Sequence, residues 1–432
     1  MPTRRDDRGG MGRLGGRGVA VFFLLAVPAL SAAQVPFEQA TADLASPDSG
    51  TRLRTVRMLK DAAYLEAASP LAKLLADPQD EVQIEAIAAE LNIFLAERII
   101  TRKRIGFVIE KRNAISAEVA FASGPLALGP RRVPLDVLTA MRAAARDDNP
   151  RVGLEALYAF GTLAVEPSGA ERRDLLRASG PDLAAMTGGQ DPAVRFAAIR
   201  VIGRLFERGW ADDPVDEAVG DAVILALNDR DRTVRSVAMQ SLGLMRYERA
   251  AQALGELFEY FGKGEQAEAA LDAIARIAHP ASAVLLTSQL PSRSEAIKAM
   301  AIEGLARMGD PALLAAIEGA LTGERSDGVV LAGRFAAATL AAAPADPIVE
   351  ALTKPRLRDL ARQYLVALAP GRSALFARHT QDPAPGVRSD VVDVLALARD
   401  PAALTLVEPL VKDSDPQVAR AAERADARLR RP

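Results

Sequence analysis

Apolar positions along most of this chain recur in steps of three and four. In "DPAVRFAAIRVIGRL" (191–205) they fall at Val194, Ala197, Ala198, Val201, Ile202 and Leu205. That spacing draws one stripe down a helix. Nearly the same phrase returns as "DRTVRSVAMQSLGLM" around Val234, "NPRVGLEALYAFGTL" around Val152 and "DPQVARAAERADARL" around Val418. A form with two extra loop residues reads "DPQDEVQIEAIAAEL" around Val82 and "DPAPGVRSDVVDVLA" around Val387. Weaker copies between Val234 and Val387 are "EQAEAALDAIARI", "SEAIKAMAIEGLARM", "GVVLAGRFAAATLAA" and "RLRDLARQYLVALA". They recur roughly every 30 residues, the mark of a repeat array.

The start of each phrase has a physical cause. Asp191 suits an N-cap, where its carboxylate accepts a backbone N–H, and Pro192 suits the first helical position, where no N–H is needed. Asn149–Pro150 and Asp415–Pro416 repeat the arrangement. Second apolar segments lie between the phrases, such as 134–147, 214–229, 248–261 and 401–413. The predicted unit is therefore helix, short turn, helix, Asp-Pro turn. One such pair cannot bury its own apolar faces, whereas stacked pairs bury each other's. About eleven pairs fit between Pro36 and Leu429.

Composition supports helices. Hydrophobic residues make up 49% but aromatics only 4%, so the apolar content is mostly Ala, Leu, Val and Ile. Ala and Leu favour helices, and Ala lets them approach closely. With no Cys in 432 residues, disulfides, thiolate catalysis and Cys-ligated metals are excluded.

Residues 1–33 differ from the rest. An Arg-rich start leads into an apolar run from Val19 to Leu30, and small residues follow at Ser31 and Ala33. These are the three parts of a secretory signal peptide, with cleavage expected before Gln34. The run is shorter than the ~20 residues of a spanning helix. The expectation is an exported protein, periplasmic or extracellular, without a transmembrane span in its mature form. What remains has a slight acidic excess, which argues against a nucleic-acid binder.

The pattern Asp191-Pro192, Val194-Arg195, Ala198, Ile202-Gly203 recurs as Asp231, Val234-Arg235, Ala238, Leu242-Gly243. It resembles HEAT repeats, in the short bacterial class of the phycobilin lyases, over most of 36–429. The resemblance implies an all-α, right-handed α-α superhelical solenoid. It also implies that turn Asp and helix Arg bond between neighbouring repeats, so that Asp191, Arg195, Asp231, Arg235 and Arg388 form a structural ladder. Gly153 and Ala419 stand where two of its Arg would be. On function the resemblance is almost silent, because the repeat serves unrelated roles.

From Val82 to Val152 the short period is broken. The extra stretch, 98–134, carries Arg98, Arg102, Lys103, Arg104, Lys111, Arg112, Arg131 and Arg132 against Glu110 and Glu118. Insertions in repeat arrays emerge on one face and often carry binding. Arg102, Lys103, Arg104, Lys111, Arg112, Arg131 and Arg132 are the candidate contacts for an acidic protein or another anionic surface. "RIGFVIE" and "ISAEVAFA" are compatible with a hairpin or with helix, and "SGPLALGP" reads as loop. The organisation expected is a signal segment over 1–33, repeats over 34–97, the insertion over 98–134 and the main array over 135–432.

No catalytic constellation emerges. His279 and His379 have no partner at ligand spacing. Phosphate-loop and nucleophile-elbow motifs do not occur. "DDNP" (147–150) and "ADDP" (211–214) pair carboxylates where helix caps are expected. The reading is a non-enzymatic scaffold or adaptor that binds a protein and needs no cofactor. A lyase or cofactor-handling protein of the phycobilin type is the alternative, to be recognised by a convergent polar pocket.

Overall fold

A computed structural model of the chain describes residues 36–96, 116–165, 169–207 and 215–430. The segment 1–33 and the candidates Arg102, Lys103, Arg104, Lys111 and Arg112 lie outside these residues, as do "RIGFVIE" and "ADDP". Among the described residues the structure is helical throughout, with no strand and a single isolated bridge between Leu95 and Leu128.

The predicted pairing holds. Second helices run Ser49–Ala62, Asp80–Phe94, Pro150–Leu163, Pro192–Leu205, Arg232–Met245, Glu265–Ile277, Glu295–Arg307, Asp327–Leu340, Arg358–Leu368, Pro385–Ala398 and Pro416–Leu429. Each follows a first helix, for example Leu135–Ala144, Gly169–Thr187, Glu217–Leu225, Ala251–Phe261 and Ala283–Gln289. Several first helices are short or end in 3-10 turns, and that of the tenth pair is two 3-10 turns, Ser373–Phe376 and His379–Gln381. Eleven pairs result among the described residues.

The caps are those the residues demand. Asp191 accepts the N–H of Ala193, Asn149 that of Arg151, and Asp415 those of Gln417 and Val418. Each is worth about 1 kcal/mol. The Asp-Pro signal is not confined to second helices. Asp310 and Asp400 open the 3-10 turns at the head of two first helices in the same way.

Second helices of successive pairs pack directly on one another: 192–205 on 232–245, 232–245 on 265–277, and 295–307 on 327–340. First helices pack mainly on the second helix of their own pair. Tighter spacing on one side bends the stack towards that side, so the second helices line the inner face. Glycine makes the close approach possible. A Cβ on Gly203 would lie 2.5 Å from Ser241 Oγ and 2.8 Å from its Cβ, and one on Gly243 would lie 3.0 Å from Ala273 Cα. Both sit nine positions after the Val of their phrase.

The core is one continuous cluster running the length of the array. Val152, Val194's neighbours Ala197 and Ala198, Val234, Val391 and Val418 are all buried in it. Part of the insertion belongs to it. "ISAEVAFA" contributes a helix, Ala117–Ala122, that packs on 150–163 with Phe121 buried beneath Gly161. "SGPLALGP" is a turn around Pro125–Ala127, opened by Gly124 at φ 79°.

Candidate functional site: the inner face

The ladder implied by the family resemblance exists with a different acid. Arg195 places Nε and Nη2 on Asp229 at 2.6 and 2.8 Å, and Nη1 on the carbonyls of Gly189 and Gln190. Arg388 forks onto Asp413 in the same way, and Arg52 onto Asp77. These acids stand two residues before the cap. Asp229 Oδ1 also accepts the N–H of Asp231, and Asp413 Oδ1 that of Asp415. Asp191 and Asp231 are not rungs, because their carboxylates are committed to the helix N–H groups. Among the described residues Arg235 finds no acid and reaches the carbonyls of Asp229 and Arg230. Paired guanidinium groups hold the Asp229 and Asp413 carboxyls below their ordinary value. Gln83 stands at the Arg position of its own repeat and donates to Asp147, so the "DDNP" acids serve the same joint.

Arg131 of the basic stretch is structural. Its Nη1 donates to Ala63 O at 3.3 Å and to Ile93 O at 3.1 Å, tying the C-terminal ends of two second helices. Arg132 is exposed. Neither histidine meets a metal-like partner set: His279 Nδ1 accepts the N–H of Ala281, and His379 Nε2 lies 2.8 Å from Asp346. Among the described residues, no group of three or more His, Cys, Asp or Glu is placed to hold a metal.

The groups that converge on the inner face escaped the sequence reading. Phe196, Arg200 and Arg204 recur every four residues on helix 192–205, so they share a stripe. The Arg200 guanidinium lies 5.1 Å from the Phe121 ring centre, 5.4 Å from Phe196 and 5.7 Å from Tyr158. Arg204 lies 4.4 Å over the same Phe121 ring and donates to Phe121 O. All four stacks are within cation–π range. Beside them a groove of roughly 560 Å³ crosses three successive second helices. Phe196 and Arg200 form one wall, and Thr233, Ser236, Val237 and Gln240 the next. The exposed pair Arg232–Glu265 stands at the edge. A signal was present in the spacing of 196, 200 and 204. Its aromatic partners come from Phe121 and Tyr158, far away in the chain.

A second convergence joins distant pairs. Arg172 donates to Val165 O and Leu205 O, and Arg399 Nη2 donates to the same Val165 O at 3.2 Å across 234 residues. Arg428 Nη1 approaches Pro125 O at 3.5 Å. Burial lowers the affinity of all three for their protons, and the nearness of Arg428 and Arg172 lowers Arg399 further. The last two pairs therefore fold back onto the third and fourth. This seam joins distant repeats of the solenoid across its interior.

Residues 180–260 match the family model for HEAT repeats. The matched HEAT segment contains the phrases at Val194 and Val234 and the groove between them. No curated protein sequence matches the chain. Among solved structures, an engineered protein from a structural genomics programme is 18% identical over 91% of this chain and 98% of its own, with a TM-score of 0.43. Importin beta is 16% identical over 89% of this chain and 49% of its own, with a TM-score of 0.35. The E. coli protein YibA is 14% identical over 72% of this chain and 93% of its own, with a TM-score of 0.37. No helix of the described residues is long and apolar enough to cross a membrane.

Proposed function

We propose that this chain is a non-enzymatic repeat scaffold that holds a protein partner on its inner face, outside the cytoplasm. One observation carries the reading: a groove crosses three consecutive second helices and is walled by side chains fixed from neighbouring pairs. A rigid, shallow, repeated surface suits a protein segment better than a small molecule, which calls for an enclosed and mostly apolar pocket. The match to HEAT repeats fits this role. Placement outside the cytoplasm rests on the signal-like pattern of residues 1–33, and the basic stretch around Arg102–Arg112 is a second proposed contact for an anionic surface.

Photocrosslinking tests the reading. A benzophenone amino acid at exposed Gln240 on the inner face is expected to trap one recurrent protein in the extracytoplasmic fraction. The same probe at exposed Tyr260 or Val284, on first helices, is expected not to. Equal capture from both faces, or none at Gln240, rejects an inner-face scaffold. Recovery of the uncleaved chain from the cytoplasm alone rejects export.

A further inference from the structure

We infer that the groove beside Arg200 is a receptor for carboxylate side chains on an extended acidic segment of the partner. The inference rests on the scaffold reading above and names the chemistry of what is held.

The first reason is the state of Arg200. Three aromatic rings, two from second helices and one from the insertion, hold its guanidinium at 5.1 to 5.7 Å. Its acidic neighbour, Glu118, comes only to 3.6 Å and is itself 59% exposed, too far for a hydrogen bond and well screened by water. The Arg195, Arg358 and Arg388 forks each close on a carboxylate at 2.6 to 3.0 Å. Arg200 is thus held by rings where the ladder arginines are held by acids, and its fork is free of a close carboxylate. A planar, pre-positioned guanidinium recognises a carboxylate with two parallel bonds and loses little entropy in doing so.

The second reason is independent of charge. Ser236, on the facing wall, accepts a hydrogen bond from Gln266 Nε2. Its hydroxyl proton is left to donate, and no protein acceptor takes it among the described residues. The opposing wall therefore adds a donor to the donors of Arg200. Gln240, exposed one turn further on, adds an amide. A lining with more donors than acceptors selects a ligand made of acceptors. The groove also lies over the N-terminal halves of helices 232–245 and 265–277, whose dipoles favour negative charge. The rim pair Arg232–Glu265 cancels and is highly exposed, 59% and 79%, so it contributes little.

The third reason concerns shape. Three helices at 8–10 Å spacing span about 20 Å, the length of about six extended residues. That geometry fits a strand-like or disordered segment and not the face of a folded domain.

The experiment uses the full chain and two fluorescein-labelled peptides, one alternating Glu and Ser and the other alternating Gln and Ser, with anisotropy as the readout. The Glu peptide is expected to bind at least about tenfold more tightly than the Gln peptide, the value of one charge-assisted pair. Arg200→Gln should remove that preference. Arg200→Lys should keep the attraction but lose most of the gain from the fork. Ser236→Ala, which leaves the aromatic stack untouched, should weaken the Glu peptide several-fold. Arg177→Gln, at a 79% exposed arginine on first helix 169–187 and outside the groove, should change nothing. Thermal melts of each variant separate lost binding from lost folding. Equal binding of the two peptides, no binding of either, or an unchanged preference in Arg200→Gln together with Ser236→Ala overturns the carboxylate inference. Capture at Gln240 would then still support the scaffold, whereas failure of that capture would remove the scaffold itself.

Discussion

At the scale of single residues, two carboxyl groups titrate in opposite senses. Asp229 is held below its ordinary value by the Arg195 fork, so its stabilisation is complete above the unfolded carboxyl pKa and is lost as pH falls through the folded value. Asp229→Ala leaves Arg195, 14% exposed, without its acid and should cost about 2–3 kcal/mol. Asp231→Ala removes only a cap and should cost about 1 kcal/mol. Urea melts at neutral pH check the order, and the gap between wild type and Asp229→Ala should shrink below about pH 4. Glu90 behaves the other way. It is fully buried, neither oxygen has a partner among the described residues, and burial followed by repulsion from Asp136 raises its pKa. The folded form keeps its proton in a range where the unfolded form has lost it, so stability falls as pH rises above the ordinary value. Glu90→Met should raise stability by about 1–3 kcal/mol at neutral pH and flatten that slope. None of this is visible in the string of letters. Asp229 and Asp231 are the same residue type two positions apart, yet Asp231 is spent on the helix cap while Asp229, two residues before it, meets Arg195.

At the scale of elements, inner-face glycine should invert the usual rule of helix propensity. Gly→Ala inside an exposed helix normally gains up to about 1 kcal/mol. At Gly203 the new methyl would meet Ser241 at 2.5–3.1 Å, including its Cα. Overpacking of that kind costs about 1–3 kcal/mol, so Gly203→Ala is expected to lower the melting temperature. Gly319, in first helix 314–321, has open space around it, and Gly319→Ala is expected to raise it. If both substitutions move stability in the same direction, close packing of the second helices is not what bends the array. The helices themselves were legible from period and caps. The roles of Asp310 and Asp400 were not, because the same Asp-Pro signal opens first and second helices alike.

At the scale of the whole molecule, the seam decides the shape. Arg399 occupies a left-handed backbone conformation, φ 53°, at the end of helix 385–398. A non-glycine residue tolerates that conformation at a cost of about 1–2 kcal/mol, and here its side chain bonds to Val165 O across the array. The chain contains no native cysteine, so a Pro125→Cys, Arg428→Cys pair can be probed without background. A short bismaleimide is expected to link the two within one chain in native buffer and to fail in denaturant. Absence of the link in the native state would mean that the array is open. Arg399→Ala should loosen the ends and increase the radius of gyration measured by small-angle scattering.

Local order was determined by the sequence alone. A stripe every three or four residues, a capping Asp, a Pro at the first helical position and a period near 30 make helix pairs, and pairs with one oily face each must stack. Those are short-range rules, written within a single repeat. Tertiary structure alone decided what depends on the angle added at each step: which acid meets Arg195, how Phe121 and Tyr158 reach Arg200, and whether the last pair meets the third. Small rotations accumulate along a stack, so contacts across hundreds of residues are set by their sum and by no one phrase.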